Sequence, residues 1–334
     1  MSEHGPAPEP AAGTVAPGAA LSLADIRAAH ARIRAHIHRT PVMTSATLDA
    51  LSGAQLFFKC ENLQRVGAFK ARGAHNAVLA LTAAEARRGV LTHSSGNHGA
   101  ALALAARSRQ IPAYVVMPSS ALAVKRQAVA RYGAQVSLCE PTLAAREATA
   151  QALMARTGAV FVHPYNDLAV MAGQGTWALE LLEERPELDV IVAPVGGGGQ
   201  LSGVAVAAKG LRPGIRVIGA EPAAADDARR SLHSGRLLPA GDPSTIADGL
   251  RSSLGALTFA IIRTHVDEII TASEQQIIAA MRLVWEVMKL VIEPSAAVPL
   301  AALLAGALPI AGLKVGVVFS GGNVDLEHLP WLQP

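Results

Sequence analysis

Four consecutive glycines, Gly196 to Gly199, stand between the apolar run Val190-Ile-Val-Ala-Pro-Val195 and an Ala- and Val-rich stretch from Leu201 to Lys209. The run reads as a buried strand of a parallel sheet, and the stretch as the helix that follows it. Glycines at this point let successive backbone N–H groups turn inward with no Cβ in the way, at the positive end of a helix dipole. The product is a cradle for a phosphate. Its spacing is neither GxGxxG nor that of a P-loop, which favours a phosphate of mononucleotide size. Taken alone, the same glycines also read as a flexible turn, though an entropically costly one.

Strand-like and helix-like segments alternate along the chain, and this predicts an α/β fold. Ser22-Leu-Ala-Asp25 opens the first helix, with Asp25 in a capping-box position. Strands are expected over 89–93, 113–117, 135–138, 215–220 and 315–319, and helices over 98–108 and 121–132. Of the 334 residues, 51% are hydrophobic and 16% charged, enough apolar material to bury a sheet on both faces. Aromatics make up only 4%, so Ala, Val and Leu must do the packing. A formal charge of +3 with no dense Lys/Arg run excludes nucleic acid as a partner. No stretch reaches membrane-spanning length, since 300–313 is broken by Gly306 and Pro309. Cys60 and Cys139 lack CxxC spacing and no secretory leader is legible, so reduced thiols and a cytoplasmic location are expected. Cys60 reads as a small buried filler. Residues 1–20 read as a mobile tail rich in Ala, Pro and Gly, without the arginines of a mitochondrial presequence.

Lys70 follows a strand-like stretch and sits at the entry to a helix, beside Phe69. A lysine so placed can carry a Schiff base; on its own it reads more readily as a solvated surface charge. Ser320 comes at the carboxyl end of the last strand, where open α/β sheets bind ligands. Its hydroxyl can bond a heteroaromatic nitrogen, or simply begin a Gly-rich turn. Together these three places meet a phosphate, an aldehyde and a ring nitrogen, the three handles of pyridoxal 5′-phosphate (PLP).

At this point the chain resembles the fold-type II PLP family, in its serine/threonine dehydratase and serine racemase group. The motifs that carry the resemblance are Gly67-Ala-Phe-Lys-Ala-Arg-Gly73, Ser94-Ser-Gly-Asn-His-Gly99, Ala172-Gly-Gln-Gly-Thr176, the tetraglycine, Thr245-Ile-Ala-Asp-Gly249 and Ser320-Gly-Gly-Asn-Val-Asp325. They extend over residues 26–326. The resemblance implies two open, twisted, mostly parallel α/β sheets with the cofactor between them. A small domain would span 88–166, and a large one would combine 21–87 with 167–334. Lys70 is implied as the cofactor's Schiff-base lysine, Phe69 as the packing partner of its ring, and Asn97 as the partner of its phenolic oxygen. Ser320 is implied at the pyridine nitrogen, and Gly196, Gly197, Gly198, Gly199 and Gln200 around the phosphate. A homodimer is implied as well.

Ser94, Ser95, Gly96, Asn97 and His98 bridge a strand and a helix amino end. Their hydroxyls, N–H groups and dipole suit an anion, and equally suit ordinary capping. In the resembling family this loop holds the substrate α-carboxylate. In its racemases the counterpart of Ser95 faces the cofactor opposite the lysine, an arrangement that inversion at Cα requires. His98 itself reads as a packed, hydrogen-bonded side chain. Glu221-Pro-Ala-Ala-Ala-Asp-Asp227 offers two carboxylates and a carbonyl that suit a hard cation, or the start of a helix. The resemblance implies Mg²⁺ or Ca²⁺ on Glu221, the Ala225 carbonyl and Asp227, leaving Asp226 as the capping residue. Arg146 reads either as a surface arginine or as the partner of a second substrate carboxylate.

The activity implied is that of an ammonia-lyase removing water from threonine, serine or threo-3-hydroxyaspartate to give a 2-oxo acid and ammonia. The alternative is a serine- or aspartate-type racemase using Lys70 and Ser95. β-Replacement enzymes such as cysteine synthase resemble a different loop, Thr-Ser-Gly-Asn-Thr. The chain stops soon after Asn323, so a stand-alone enzyme without a regulatory module is expected.

Overall fold

In a computed structural model of the chain, residues 20–94, 96–121 and 123–332 are described. The expected tail therefore lies almost wholly outside them, and so does Ser95. Among the described residues ten strands form two sheets: β1 (Val42–Met43), β2 (Gln55–Lys59), β3 (Val90–His93), β4 (Ala113–Pro118), β5 (Gln135–Cys139), β6 (Val160–Phe161), β7 (Val190–Pro194), β8 (Arg216–Pro222), β9 (Glu268–Ala272) and β10 (Lys314–Val318). The larger sheet has the order β1-β2-β10-β7-β8-β9, and only the β1–β2 pair is antiparallel. The smaller sheet runs β5-β4-β3-β6, all parallel. Alternation of elements predicted the α/β class, and the family resemblance implied this mostly parallel, two-sheet architecture.

Side-chain alternation divides the larger sheet into two cores. Leu56, Phe58, Val315 and Val317 face a core completed by the Glu274–Met288 and Pro294–Leu304 helices. Phe57 and Val318 face the opposite way, against the Leu168–Glu184 and Gly199–Leu211 helices. Strands buried on both faces need continuous apolar runs, which is what β7 and β10 carry. Phe58 and Phe319 stack at 4.6 Å across neighbouring strands.

Small residues set how closely the helices approach. A Cβ on Gly203 would lie 2.2 Å from the Met171 carbonyl oxygen, and one on Gly173 would lie 2.6 Å from that of Arg72. The Ala172–Thr176 motif is therefore the crossing point of three helices. The capping box at Ser22 and Asp25 forms as expected, with Asp25 N–H donating to the Ser22 hydroxyl at 3.2 Å. The helix expected over 121–132 runs Ala123–Arg131, and the one expected from His98 begins at Asn97.

Candidate active site

Every strand carrying a candidate residue ends on the same side of its sheet. The tetraglycine follows β7, Ser320 follows β10, Glu221 lies near the end of β8, and Ser94 follows β3. β10 and β7 are adjacent, and from β7 the chain proceeds to β8 and β9, away from β10. A crevice outside the carboxyl ends of the strands results where the order reverses.

The chain reaches Lys70 through two short turns in which Val66 (φ 56°) and Gly67 (φ 68°) are both left-handed. A Cβ on Gly67 would lie 2.7 Å from Asn323 Oδ1, so glycine answers both backbone and space here. The strand-like piece that follows is zipped to the end of the last strand. Phe69 N–H donates to the Ser320 carbonyl at 2.9 Å, and Gly322 N–H donates to the Gly67 carbonyl at 2.9 Å. Lys70 then opens the Lys70–Ala80 helix. Backbone hydrogen bonds alone thus bring the lysine motif and the Ser320 motif together.

Lys70 Nζ donates to the Pro164 carbonyl at 2.9 Å and lies 5.0 Å from the centre of the Phe69 ring. The side chain keeps some contact with solvent at the cleft, yet protein surrounds it closely. That burial lowers its pKa to about 8, and the charge of Glu293 pulls the other way. A lysine in this state gives up its proton far more readily than one in water and is half neutral near pH 8.

Two residues on, the helix has turned through about 200°, so Arg72 points into the protein. It donates to Glu61 at 2.7 and 2.8 Å and to Glu180 at 2.8 Å from two nitrogens. Lys59 completes the cluster at 2.6 Å from Glu180, and all four side chains are buried. Burial pushes the Glu180 carboxyl upward, but hydrogen bonds from His30 and Arg72, with the charges of Arg72 and Lys59, outweigh it and hold it well below the usual range. The cluster pins β2, the Lys70–Ala80 helix and the Leu168–Glu184 helix to one another.

On the phosphate side, Gly198 has φ +87°, and a Cβ on Gly197 would stand 2.4 Å from the Tyr165 ring. The Thr258 hydroxyl donates to the Gly197 carbonyl at 2.9 Å. The amino end of the Gly199–Leu211 helix opens directly after, and the buried Gln200 Nε2 has no hydrogen-bond partner among the described residues. A backbone cradle that no side chain could enter, with an unanswered buried donor beside it, fits an anionic group such as the phosphate of PLP.

Asn97 is the first residue of the Asn97–Ser108 helix. Its amide donates to both oxygens of Glu293, and its Oδ1 accepts from Asn323 Nδ2 at 2.9 Å. Ser320 is buried and follows β10 two residues beyond Val318. Ser94 accepts a hydrogen bond from Gly96 N–H at 3.4 Å. His98 is buried with Nε2 against the Val162 carbonyl, and burial keeps it neutral, in keeping with a packed role. Arg146 is half-buried on the Leu143–Thr157 helix, and its charge reaches His93 at the end of β3. Sequence reasoning missed Glu293, His93, His163 and Tyr165. Glu293 begins a helix through Glu-Pro and His163 sits in His-Pro, dipeptides that mark boundaries and nothing more.

Glu221 and Asp227 are both buried, at 1% and 2% exposure. Burial raises the Glu221 carboxyl to about 8 and that of Asp227 to about 6. Glu221 accepts from Arg229 N–H at 2.8 Å and Ala228 N–H at 3.3 Å, so it caps the Asp227–Ser234 helix. The expected capping residue, Asp226, instead pairs with Arg230 at 2.6 Å. A buried carboxylate reaching back from the strand satisfies the helix end better than an exposed one. Asp227 Oδ2 is buried and has no hydrogen-bond partner among the described residues, and this donor set of hard oxygens fits a hard divalent cation. No group of three or more His, Cys, Asp or Glu suited to a metal occurs among the described residues. Cys60 is buried, and burial pushes its thiol up to about 12, so it is an inert filler.

A two-sheet parallel α/β fold with a buried lysine, a glycine cradle and a serine at adjacent strand ends defines a class of PLP enzymes. The family model for pyridoxal-phosphate dependent enzymes matches residues 33–321, and the chain belongs to this family, as a fold-type II member. It is 52% identical to the beta-hydroxyaspartate dehydratase of Paracoccus denitrificans over 92% of this chain and 98% of that protein. It is 51% identical to the serine racemase of Arabidopsis thaliana, over 93% of this chain and 95% of the relative. The structure of maize serine racemase superposes with a TM-score of 0.91 at 45% identity, covering 92% of this chain and 95% of that one.

Proposed function

We propose that this protein is an ammonia-lyase that removes water from a β-hydroxy amino acid, releasing a 2-oxo acid and ammonia. The observation that carries the reading is the placement of Lys70, its Nζ on the Pro164 carbonyl, the preceding Phe69 N–H on the Ser320 carbonyl, and Tyr165 of the same turn against the tetraglycine. PLP, when bound, supplies an electron sink for the charge that develops at the substrate Cα. Lys70 would hold the cofactor through its Nζ, and its neutral amine would take the proton from the substrate Cα. Phe69 packs the ring, Gly196 to Gly199 and Gln200 hold the phosphate, Asn97 bonds the phenolic oxygen, and Ser320 bonds the pyridine nitrogen. Ser320 is a hydroxyl, not a carboxylate, and does not demand a protonated ring. Charge is then held less long at Cα, which favours prompt loss of the β-hydroxyl.

Ser94, Ser95, Gly96, Asn97 and His98 receive the α-carboxylate at a helix amino end. Arg146 is assigned to a second substrate carboxylate, in keeping with the beta-hydroxyaspartate dehydratase among the relatives. Glu221, the Ala225 carbonyl and Asp227 are assigned to Mg²⁺ or Ca²⁺. The block 88–166, with its own sheet, is assigned as the small domain, and a cytoplasmic homodimer is the assembly that follows from the family.

The test is incubation with L-serine, L-threonine and threo-3-hydroxyaspartate with coupled detection of oxo acid. Absence of oxo acid from all three sinks the lyase. Serine racemases among the relatives favour one other reading, in which Ser95 returns a proton to the opposite face. Chiral chromatography of the recovered amino acid separates the two.

A further inference from the structure

The turn after β6 lies against both the Lys70 side chain and the tetraglycine, and its histidine has no role in the account above. His163 Nδ1 accepts N–H groups from Tyr165 at 3.2 Å and from Asn166 at 2.9 Å. A ring nitrogen that accepts two N–H groups keeps its lone pair, so the imidazole proton sits on Nε2. Nε2 is then directed off the turn. The turn itself is clamped on every side. Pro164 takes Lys70 Nζ, the Tyr165 ring stands edge-on to the imidazole at 4.5 Å and covers Gly197, and Asn166 Oδ1 accepts from Leu257 N–H at 3.0 Å.

Other groups gather around this donor. His93, which leads directly into Ser94, lies 6.1 Å from His163 ring to ring. The charge of Arg146 reaches His93, and that of Lys70 reaches His163. Both imidazoles are only half-buried, so they border the cleft. Burial holds His163 neutral, with its pKa lowered to about 3, so it offers one N–H donor and adds no charge.

We infer that His163 reads the substrate's β-substituent, its Nε2–H donating to a β-carboxylate whose charge Arg146 balances, so that a β-hydroxy dicarboxylic amino acid is preferred over serine or threonine. This rests on the lyase reading for its reaction, and on the geometry of the turn for its selectivity. A hydrogen or methyl at that place offers the donor no partner from the substrate. Sites built around a hydrogen bond reject analogues that lack the partner far more strongly than apolar pockets reject a change of size.

The test uses the holoenzyme and separates the two ring nitrogens. Asparagine Oδ1 takes the place of Nδ1, so His163→Asn keeps the acceptor of the turn and loses the outward donor. Glutamine Nε2 takes the place of the imidazole Nε2, so His163→Gln keeps the donor and loses the acceptor. Calorimetric titration with succinate and with butyrate, which differ in the second carboxylate alone, gives a ratio of Kd that needs no turnover. The ratio of kcat/KM for threo-3-hydroxyaspartate and L-serine gives the same selectivity under turnover. We expect the wild type to favour succinate, His163→Asn to lose at least about tenfold of each preference, and His163→Gln to stay within about threefold of the wild type. No succinate preference in the wild type, or any other ordering of the two variants, overturns the inference. Succinate preference without oxo acid from any substrate defeats the lyase reading alone, and oxo acid without succinate preference defeats this inference alone.

Discussion

The Asn97 amide nitrogen lies 3.0 and 3.1 Å from the two oxygens of Glu293, a contact between residues 196 positions apart. It fastens the helix after the smaller sheet's β3 to the turn that precedes the Pro294–Leu304 helix of the larger sheet. Glu293 also accepts from Asn323 N–H at 3.2 Å, and its charge is the one that opposes burial at Lys70.

Glu293→Gln should therefore make Lys70 easier to deprotonate. Burial has already brought its pKa from 10.5 to about 8, and Glu293 raises it, so removing that charge lowers it further. Imine formation with added PLP needs the neutral amine. The rate of cofactor incorporation into apoenzyme should rise with pH around a midpoint near 8 in the wild type, and around a lower midpoint in the variant. A midpoint that stays put or moves up contradicts the assignment.

Gly197→Ala should expel the cofactor. Its Cβ would stand 2.4 Å from the Tyr165 ring, which the Gly199 backbone also confines. The expected loss is at least about tenfold in PLP affinity, equivalent to about 1.4 kcal/mol, read from the absorbance retained on dialysis. Gly214→Ala, where nothing lies within 4 Å, is the control and should bind PLP as the wild type does.

Glu180→Leu should leave Lys59 and Arg72 facing each other without their shared carboxylate. Breaking a buried pair in this way costs about 3–5 kcal/mol, measured by chemical denaturation. Burial already depresses the Lys59 pKa, so Lys59 can shed its proton and soften the loss. Adding Lys59→Met should recover more than half of it, because the unanswered charge is then gone. A double variant no better than the single one argues against this account.

Divalent cation should stabilise the protein more at pH 8 than at pH 5.5. The folded state raises the carboxyls of Glu221 to about 8 and Asp227 to about 6 from ordinary values of 4.5 and 3.8. Groups raised on folding stabilise fully below their unfolded pKa, and that contribution disappears as pH climbs through the folded values. Without metal, stability should fall between about pH 4 and 8. Mg²⁺ or Ca²⁺ replaces the protons, so its effect on Tm should grow over the same interval and vanish with a chelator. An equal Tm with and without cation at pH 8 would remove the metal from Glu221 and Asp227.

What the amino-acid sequence settles by itself is local. The apolar runs of β7 and β10 can only be strands buried on both faces, the capping box can only start a helix at Leu23, and four glycines can only leave an open backbone at a helix entry. These follow from periods of 2 and 3.6 residues and from the absence of a Cβ, which need no knowledge of neighbours. The spacing of Lys70, the tetraglycine and Ser320 was legible for the same reason, since each ends or begins an element. Tertiary structure alone decided which side chains meet there. Glu293, His163 and Tyr165 arrive beside Lys70 because β10 lies between β2 and β7 and because β6 joins the edge of the second sheet. It also chose Glu221 over Asp226 to cap a helix, since only Glu221 is carried inward by its strand. Contacts of this kind depend on strand order and register, and a side chain's own neighbours in sequence carry no trace of either.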